Sequence, residues 1–282
     1  MSDGDGFLGA RPPELEYRSL SLARVFAMVM RYWYLLRSSW PRLLDIVYWP
    51  TVQMLMWGFL QHFLAEQTSF AFRLGGTFIG ALMLWDILFR GQISFSISFL
   101  EEMWARNIGN LMISPLRPVE FLAALMIMSI IRLAVGFVPV SLMAILFFGF
   151  NVWSMGLAFG AFFANLIITS WSIGVTVSGM ILRKGLGAES LAWSVAFVLL
   201  PLTCVYYPVS ALPVWLQWIA WCLPPTYVFE GLRAVLLEGV FRGDLMAVAL
   251  GLNAVYLSIA FVIYLKLLDS ARIHGSLLQS GE

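Results

Sequence analysis

The sequence predicts an all-α integral membrane protein with six transmembrane helices, an N-terminal interfacial helix and a re-entrant outer helical hairpin before the last span. Composition is the first ground: 61% hydrophobic and 12% charged residues leave too little polar surface to clothe a water-soluble globule. Apolar runs are the second, because a crossing helix needs about 20 apolar residues and the chain offers six such stretches between polar interruptions. The third is the distribution of basic residues, which is lopsided in a way that fits an even number of crossings.

Residues 1–18 read as a disordered polar leader, acidic where a signal peptide would be basic, with Pro12 and Pro13 opposing an early helix. From residue 19 to 38, Leu20, Leu22, Val25, Phe26, Val29, Trp33 and Leu36 recur at helical intervals, with Arg24 and Arg31 two turns apart. This is an interfacial helix, its aromatic face in the membrane boundary and its arginines toward water or anionic headgroups. The first span is expected over 43–64, with Pro41 near its start and Asp45 and Glu66 marking its ends. A short loop with Arg73 leads to the second span, 75–99, which carries Asp86 and Arg90 four residues apart on one helix face, where they can pair. Unpaired, each charge at that depth costs about 2.5–3.5 kcal/mol on insertion scales, so the pair marks a protein-facing or water-facing side.

A polar segment, 100–118, follows, in which Glu101, Glu102, Arg106, Asn107 and Asn110 would form a short amphipathic helix stopped by Pro115 and Pro118. Residues 133–182 carry no charge and are long enough for two crossings, divided at the Gly, Asn and Ser cluster of residues 149–154 into spans 121–148 and 155–182. Arg132 lies in the third span without an opposite charge in its own helix, and Asp86 is a candidate partner from another. Arg183 and Lys184 head the loop before a fifth span, 191–207.

The stretch 208–239 is the outer hairpin. Pro208, Pro213, Pro224 and Pro225 forbid one straight helix, and Tyr207, Trp215, Trp218, Trp221 and Tyr227 suit the depth where a ring keeps its body in hydrocarbon and its polar tip in water. Glu230 and Arg233 stand close enough to pair. A sixth span, 245–268, and a polar cytoplasmic tail, 269–282, complete the chain. Cys204 and Cys222 match no metal spacing and read as buried thiols rather than a disulfide.

Twelve of the basic residues, from Arg11 and Arg18 to Lys266 and Arg272, fall on the side of both termini, against Arg73, Arg233 and Arg242 on the other, which puts the termini in the cytoplasm. Enzyme signatures are missing: there is no GxxxxGK[ST] phosphate loop, no GxSxG serine, and His62 and His274 lie at opposite ends of the topology, so no metal site is expected. Nothing points to nucleic acid. Trp85, Phe89, Phe95 and Phe99 on the second span and Trp171 on the fourth either line an aromatic substrate path or pack against lipid and neighbouring helices.

Two segments carry a family resemblance. The wording YPVSxLPxWLQxIAxxxPxTYxxEGLR, Tyr207 to Arg233, resembles the region before the last span of ABC-2-type permeases, and Glu101, Arg106 and the Ser114–Pro115–Leu116 turn resemble that family's coupling helix. The resemblance covers nearly the whole chain. It implies a non-catalytic permease in a bacterial inner membrane, working with separate ABC ATPase subunits that hold ATP and Mg, and with a second permease copy as a homodimer or heterodimer. On this basis Glu101, Glu102, Arg106, Asn107 and Asn110, with Arg183 and Lys184 as a second contact, would dock the ATPase, and the hairpin would gate the exit. The cargo expected is amphipathic or lipid-linked: a saccharide, lipid or drug. A stand-alone channel or scaffold would share the spans but leave the polar 100–118 segment without a task, and a membrane-embedded transferase or hydrolase would have to work through Asp86, Glu101 or Glu230, which no motif recommends.

Overall fold

Ten α-helices and short 3-10 and π turns make up the computed structural model, which describes residues 20–67 and 69–273; among these there is no strand. The helices are α1 (Leu22–Arg37), α2 (Trp40–Gln67), α3 (Ser69–Trp104), α4 (Ile108–Ile113), α5 (Pro118–Phe148), α6 (Leu157–Lys184), α7 (Leu191–Leu202), α8 (Val214–Trp221), α9 (Pro224–Arg233) and α10 (Gly243–Ile273). The leader, 1–18, and the tail beyond Ile273, His274 included, lie outside the described residues.

Among the described residues, five helices are long and apolar enough to cross a membrane: Trp40–Phe63, Thr77–Trp104, Pro118–Phe148, Leu157–Lys184 and Gly243–Ile273. Two of them outrun the boundaries expected from sequence. α3 contains Arg73, assigned above to a loop, and continues through Glu101 and Glu102 to Trp104, while α10 continues past residue 268 into the stretch expected to be tail. The fifth expected span is helical only over Leu191–Leu202, and a helix of that length rises about 18 Å where the hydrocarbon core is about 30 Å thick.

α6 is the axis of the bundle, packing on α3, α10 and α9, while α3 also holds α2, α5 and α7. Polar glue is sparse and placed at helix contacts. Between α6 and α10, the Thr169 hydroxyl donates to Asn253 Oδ1 at 2.7 Å, and Asn253 Nδ2 donates to the Asn165 carbonyl at 2.9 Å and to Asn165 Oδ1 at 3.1 Å, all three side chains buried. With apolar surroundings on every side, such bonds and close backbone approach replace the hydrophobic drive between helices. One approach has a clear cause: Pro50 offers no N–H to the Ile46 carbonyl four residues before it, and that oxygen lies only 2.8 Å from where a Cβ on Gly136 of α5 would stand. Glycine lets α2 and α5 meet there.

α1 is amphipathic as expected. Val25, Met28, Val29, Tyr32 and Leu36 enter a core with the ends of α3, α5, α6 and α10, while Leu22, Phe26 and Tyr34 stay exposed. Its end of the bundle also holds α4. The opposite end holds the hairpin, where Leu232 and Leu236 meet Gly80 near the start of α3.

Candidate functional site

Two carboxylates fasten α1 to the bundle. Glu120, in the first turn of α5, accepts from Arg24 Nε and Nη2 at 2.8 and 2.6 Å, from the Ser21 backbone N–H at 2.8 Å and from the Arg117 backbone N–H at 3.0 Å. Glu102, only 1% exposed, accepts from both Arg31 terminal nitrogens, at 2.5 and 3.1 Å, from the Tyr32 hydroxyl at 2.8 Å and from Asn107 Nδ2 at 2.7 Å. Burial, and after it the Glu102 charge, pushes the Tyr32 phenol above its usual range, which keeps it a donor across physiological pH. Burial works against the Arg31 charge as well, but the hydrogen bond and charge of Glu102 outweigh it and raise its pKa. The expectation that Arg24 and Arg31 turn to water or headgroups is therefore corrected: buried acids 71 to 96 residues away claim them.

The same geometry corrects the placement of Glu101 and Glu102. They sit in the last turn of α3, not in a separate amphipathic helix, and both face inward: Glu102 as above, Glu101 toward Arg132 Nη2 at 3.2 Å and Arg42 Nη1 at 3.4 Å. The chain then turns through Arg106, at φ 52 in the left-handed region that L side chains avoid, before α4. Arg106 and Asn110 are exposed and Asn107 is half-buried, its Oδ1 accepting from Asn110 Nδ2 at 3.2 Å. Arg183 and Lys184 are exposed at the end of α6. Trp104 Nε1 donates to Glu189 at 3.2 Å, so the α3–α4 elbow and the α6–α7 loop form one surface.

A cavity of about 720 Å³ opens between α2, α3 and α7, walled by Trp49, Phe89 and Trp193 and lined also by the exposed Arg42, by Arg90 and Glu101, and by the buried Arg132. Asp86 and Arg90 pair as expected, with Arg90 Nε 2.7 Å from both carboxylate oxygens. Arg132, 5% exposed, pairs with Glu101 and not with Asp86, whose carboxylate is engaged by Arg90 on its own helix. Among the five aromatic candidates only Phe89 lines this cavity. Phe95 and Phe99 are fully buried, Phe95 against Gly174 and Phe99 against Phe121; Trp85 is buried beside Phe89; and Trp171 donates to the Ser129 hydroxyl at 2.9 Å. Asp45, Trp49, Gln53 and Trp193 belong to the cavity and were not singled out as its lining from sequence, since only the juxtaposition of α2 and α7 brings them together.

At the far end, each proline marks a break. Pro208 precedes a 3-10 turn, Pro213 leads into α8, and Pro224 and Pro225 open α9, where absent N–H groups go unmissed. Glu230 accepts from the Val209 N–H at 2.8 Å and from Arg233 at 3.1 Å, and Arg233 Nη2 also donates to the carbonyls of Cys204 and Tyr207, each at 2.8 Å. The Tyr207 hydroxyl donates to the Pro201 carbonyl at 2.6 Å and that of Tyr227 to the Trp221 carbonyl at 2.8 Å. Both cysteines are free; Cys204 is buried, but Cys222 is exposed, contrary to expectation. Val214, Trp215 and Trp218 point outward. Among the described residues no cluster of three or more His, Cys, Asp or Glu comes together that could hold a metal ion.

No curated protein matches the chain in sequence. The family model described as ABC-2 type transporter matches residues 24–237, from Arg24 in α1 to the π turn after α9. With most of its length matched and five apolar helices long enough to cross a bilayer, this multi-pass membrane protein belongs to the ABC-2 type transporter family.

Proposed function

We propose that the chain is the permease subunit of an ATP-driven exporter that moves an amphipathic or lipid-linked molecule, a saccharide, lipid or drug, across a bacterial inner membrane. Membership of the family implies an ABC ATPase partner. In this reading ATP and Mg bind on that separate ATPase, the permease itself is non-catalytic, and it acts with a second permease copy, like or unlike. Both termini are cytoplasmic. α7 makes the fifth of six crossings together with the irregular segment after it, and the hairpin re-enters from the outer side as the exit gate.

The observation that carries the coupling role is the Glu102 junction. One carboxylate joins α1, the end of α3 and Asn107 ahead of α4, so a displacement of the elbow is handed to two helices at once. The exposed Arg106, Asn110, Arg183 and Lys184 supply the docking surface, and Glu101 and Glu102 act behind it as its anchors. ATP-driven closure of the partner would bias the bundle between two states through this junction.

The test is reconstitution of the chain with its ATPase in proteoliposomes. Cargo transport that needs ATP, and that is uncoupled from hydrolysis by Arg106→Glu with Asn110→Asp, is expected. Conductance or transport that proceeds without any ATPase would sink the reading in favour of a channel.

A further inference from the structure

We infer that the cavity between α2, α3 and α7 is a binding site for an anionic amphiphile, whose phosphate-type headgroup lies against Arg90 and Arg132 and whose apolar part lies along Trp49, Phe89 and Trp193. That this ligand is cargo rests on the exporter reading; that it binds does not. The volume, about 720 Å³, falls in the range of sites that enclose small molecules, roughly 300–1,000 Å³. What singles it out is an imbalance of hydrogen bonding within an apolar bundle.

Glu101 is shared by Arg42 and Arg132 at the long distances of 3.4 and 3.2 Å, so one carboxylate serves two guanidiniums. Nε of Arg132 is buried with no partner among the described residues. Arg90 spends only Nε on Asp86, leaving its two terminal nitrogens without a partner among the described residues. The carboxylates Glu101, Asp86 and the exposed Asp45 at the mouth balance the three arginines in formal charge, so the lack is not of negative charge but of acceptor atoms at the Arg90 and Arg132 forks. A buried donor left unmade is costly, and arginines are retained within membrane helices where they face an ion or substrate. A group of several oxygens on one centre is the complement of planar guanidinium forks. The aromatic wall then fits the apolar remainder of the same molecule, and Trp49 and Trp193, both exposed, leave that wall accessible from outside the bundle.

Binding is measured on the full chain alone, in an uncharged maltoside detergent, by native mass spectrometry with dioleoyl phosphatidic acid, dioleoylglycerol and inorganic phosphate as probes. One phosphatidic acid per chain is expected, held at least tenfold more tightly than dioleoylglycerol and not displaced by inorganic phosphate at equal concentration. Arg132→Gln should weaken it about tenfold, Arg132→Lys less, and the exposed Arg242→Gln not at all. Asp86→Asn with Arg90→Gln removes a charge pair together and should also weaken it tenfold, which keeps the test intact should Arg132→Gln fail to fold. Equal binding of phosphatidic acid and dioleoylglycerol, displacement by inorganic phosphate, or wild-type affinity in the folded double variant would each overturn the assignment. Because no ATPase is present, a failed transport assay leaves this result untouched, and the converse holds too.

Discussion

The hydroxyl of Tyr32 donates to Glu102 at 2.8 Å across 70 residues of sequence, from the amphipathic helix α1 to the last turn of α3, with both side chains buried. Removing the carboxylate leaves Tyr32 and Asn107 without an acceptor, whereas Arg31, more than a third exposed, can turn to water. The expected loss for Glu102→Ala is therefore about 1–3 kcal/mol, the cost of leaving the buried Tyr32 donor unmade, with no stranded charge added to it. Tyr32→Phe, which deletes one donor and leaves the ion pair, should lose about 1 kcal/mol. Thermal unfolding in detergent gives the order, and hydrogen exchange across Leu22–Arg37 should rise in both variants. A Glu102→Ala protein that melts like one altered at an exposed site such as Arg242 would show that α1 is held by its apolar face alone.

Local pairings were legible in the sequence and distant ones were not. Asp86 and Arg90 stand four apart, Glu230 and Arg233 three apart, and helix geometry alone brings each pair together. Arg132 shows the limit: its partner, Glu101, lies 31 residues away, and choosing it over Asp86 requires knowing that Arg90 has already taken Asp86. Glu101 and Glu102 misled for a related reason. Two acids at the end of an apolar run look like the start of a solvated loop, and only the arginines of α1, α2 and α5 turn that end inward. The cavity was hidden because the aromatic pattern of α3 looks the same whether a ring meets a cavity, as Phe89 does, or a glycine on α6, as Phe95 does. Asn253 did leave a signal, a lone amide in an otherwise apolar span, which in a membrane helix asks for a polar partner.

Arg106 holds the elbow between α3 and α4 with a left-handed backbone, a conformation that costs an L residue about 1–2 kcal/mol. Arg106→Gly should therefore raise stability slightly or leave it unchanged, and Arg106→Ala should not. If the side chain docks the ATPase, both variants lose partner affinity to the same extent, since both delete the guanidinium. Affinity lost in Arg106→Gly alone would instead assign the role of this position to a stiff turn.

Gly136 faces the Ile46 carbonyl, left without its usual donor by Pro50. Gly136→Ala would place a methyl 2.8 Å from that oxygen, and since the obstacle is backbone, α2 and α5 must separate. A loss of about 1–3 kcal/mol is expected, typical of overpacking. Pro50→Ala restores a donor to Ile46 but leaves the crowding, so it should not rescue Gly136→Ala. Rescue in paired melting experiments would mean that the proline bend, not the contact distance, sets the spacing of the two helices.

Arg233 ties three parts of the hairpin with one planar group: the carbonyls of Cys204 and Tyr207 ahead of the 3-10 turn, and Glu230 within α9. Cys204 is, among the described residues, the other non-glycine residue with positive φ, at 55, so the carbonyl to which Arg233 donates belongs to a strained turn that needs an external tie. Lysine keeps the charge but has no fork, and should fail to hold two carbonyls and a carboxylate together. Arg233→Lys and Arg233→Leu should thus both loosen the segment from Cys204 to Trp221, read as faster hydrogen exchange there and quicker modification of the Cys204 thiol, now buried. Glu230→Gln should be milder, because the amide oxygen can still accept from the Val209 N–H. Arg233→Lys behaving like the native chain would reduce the tie to simple charge pairing, and with it the case that this end of the bundle is a clasp able to open.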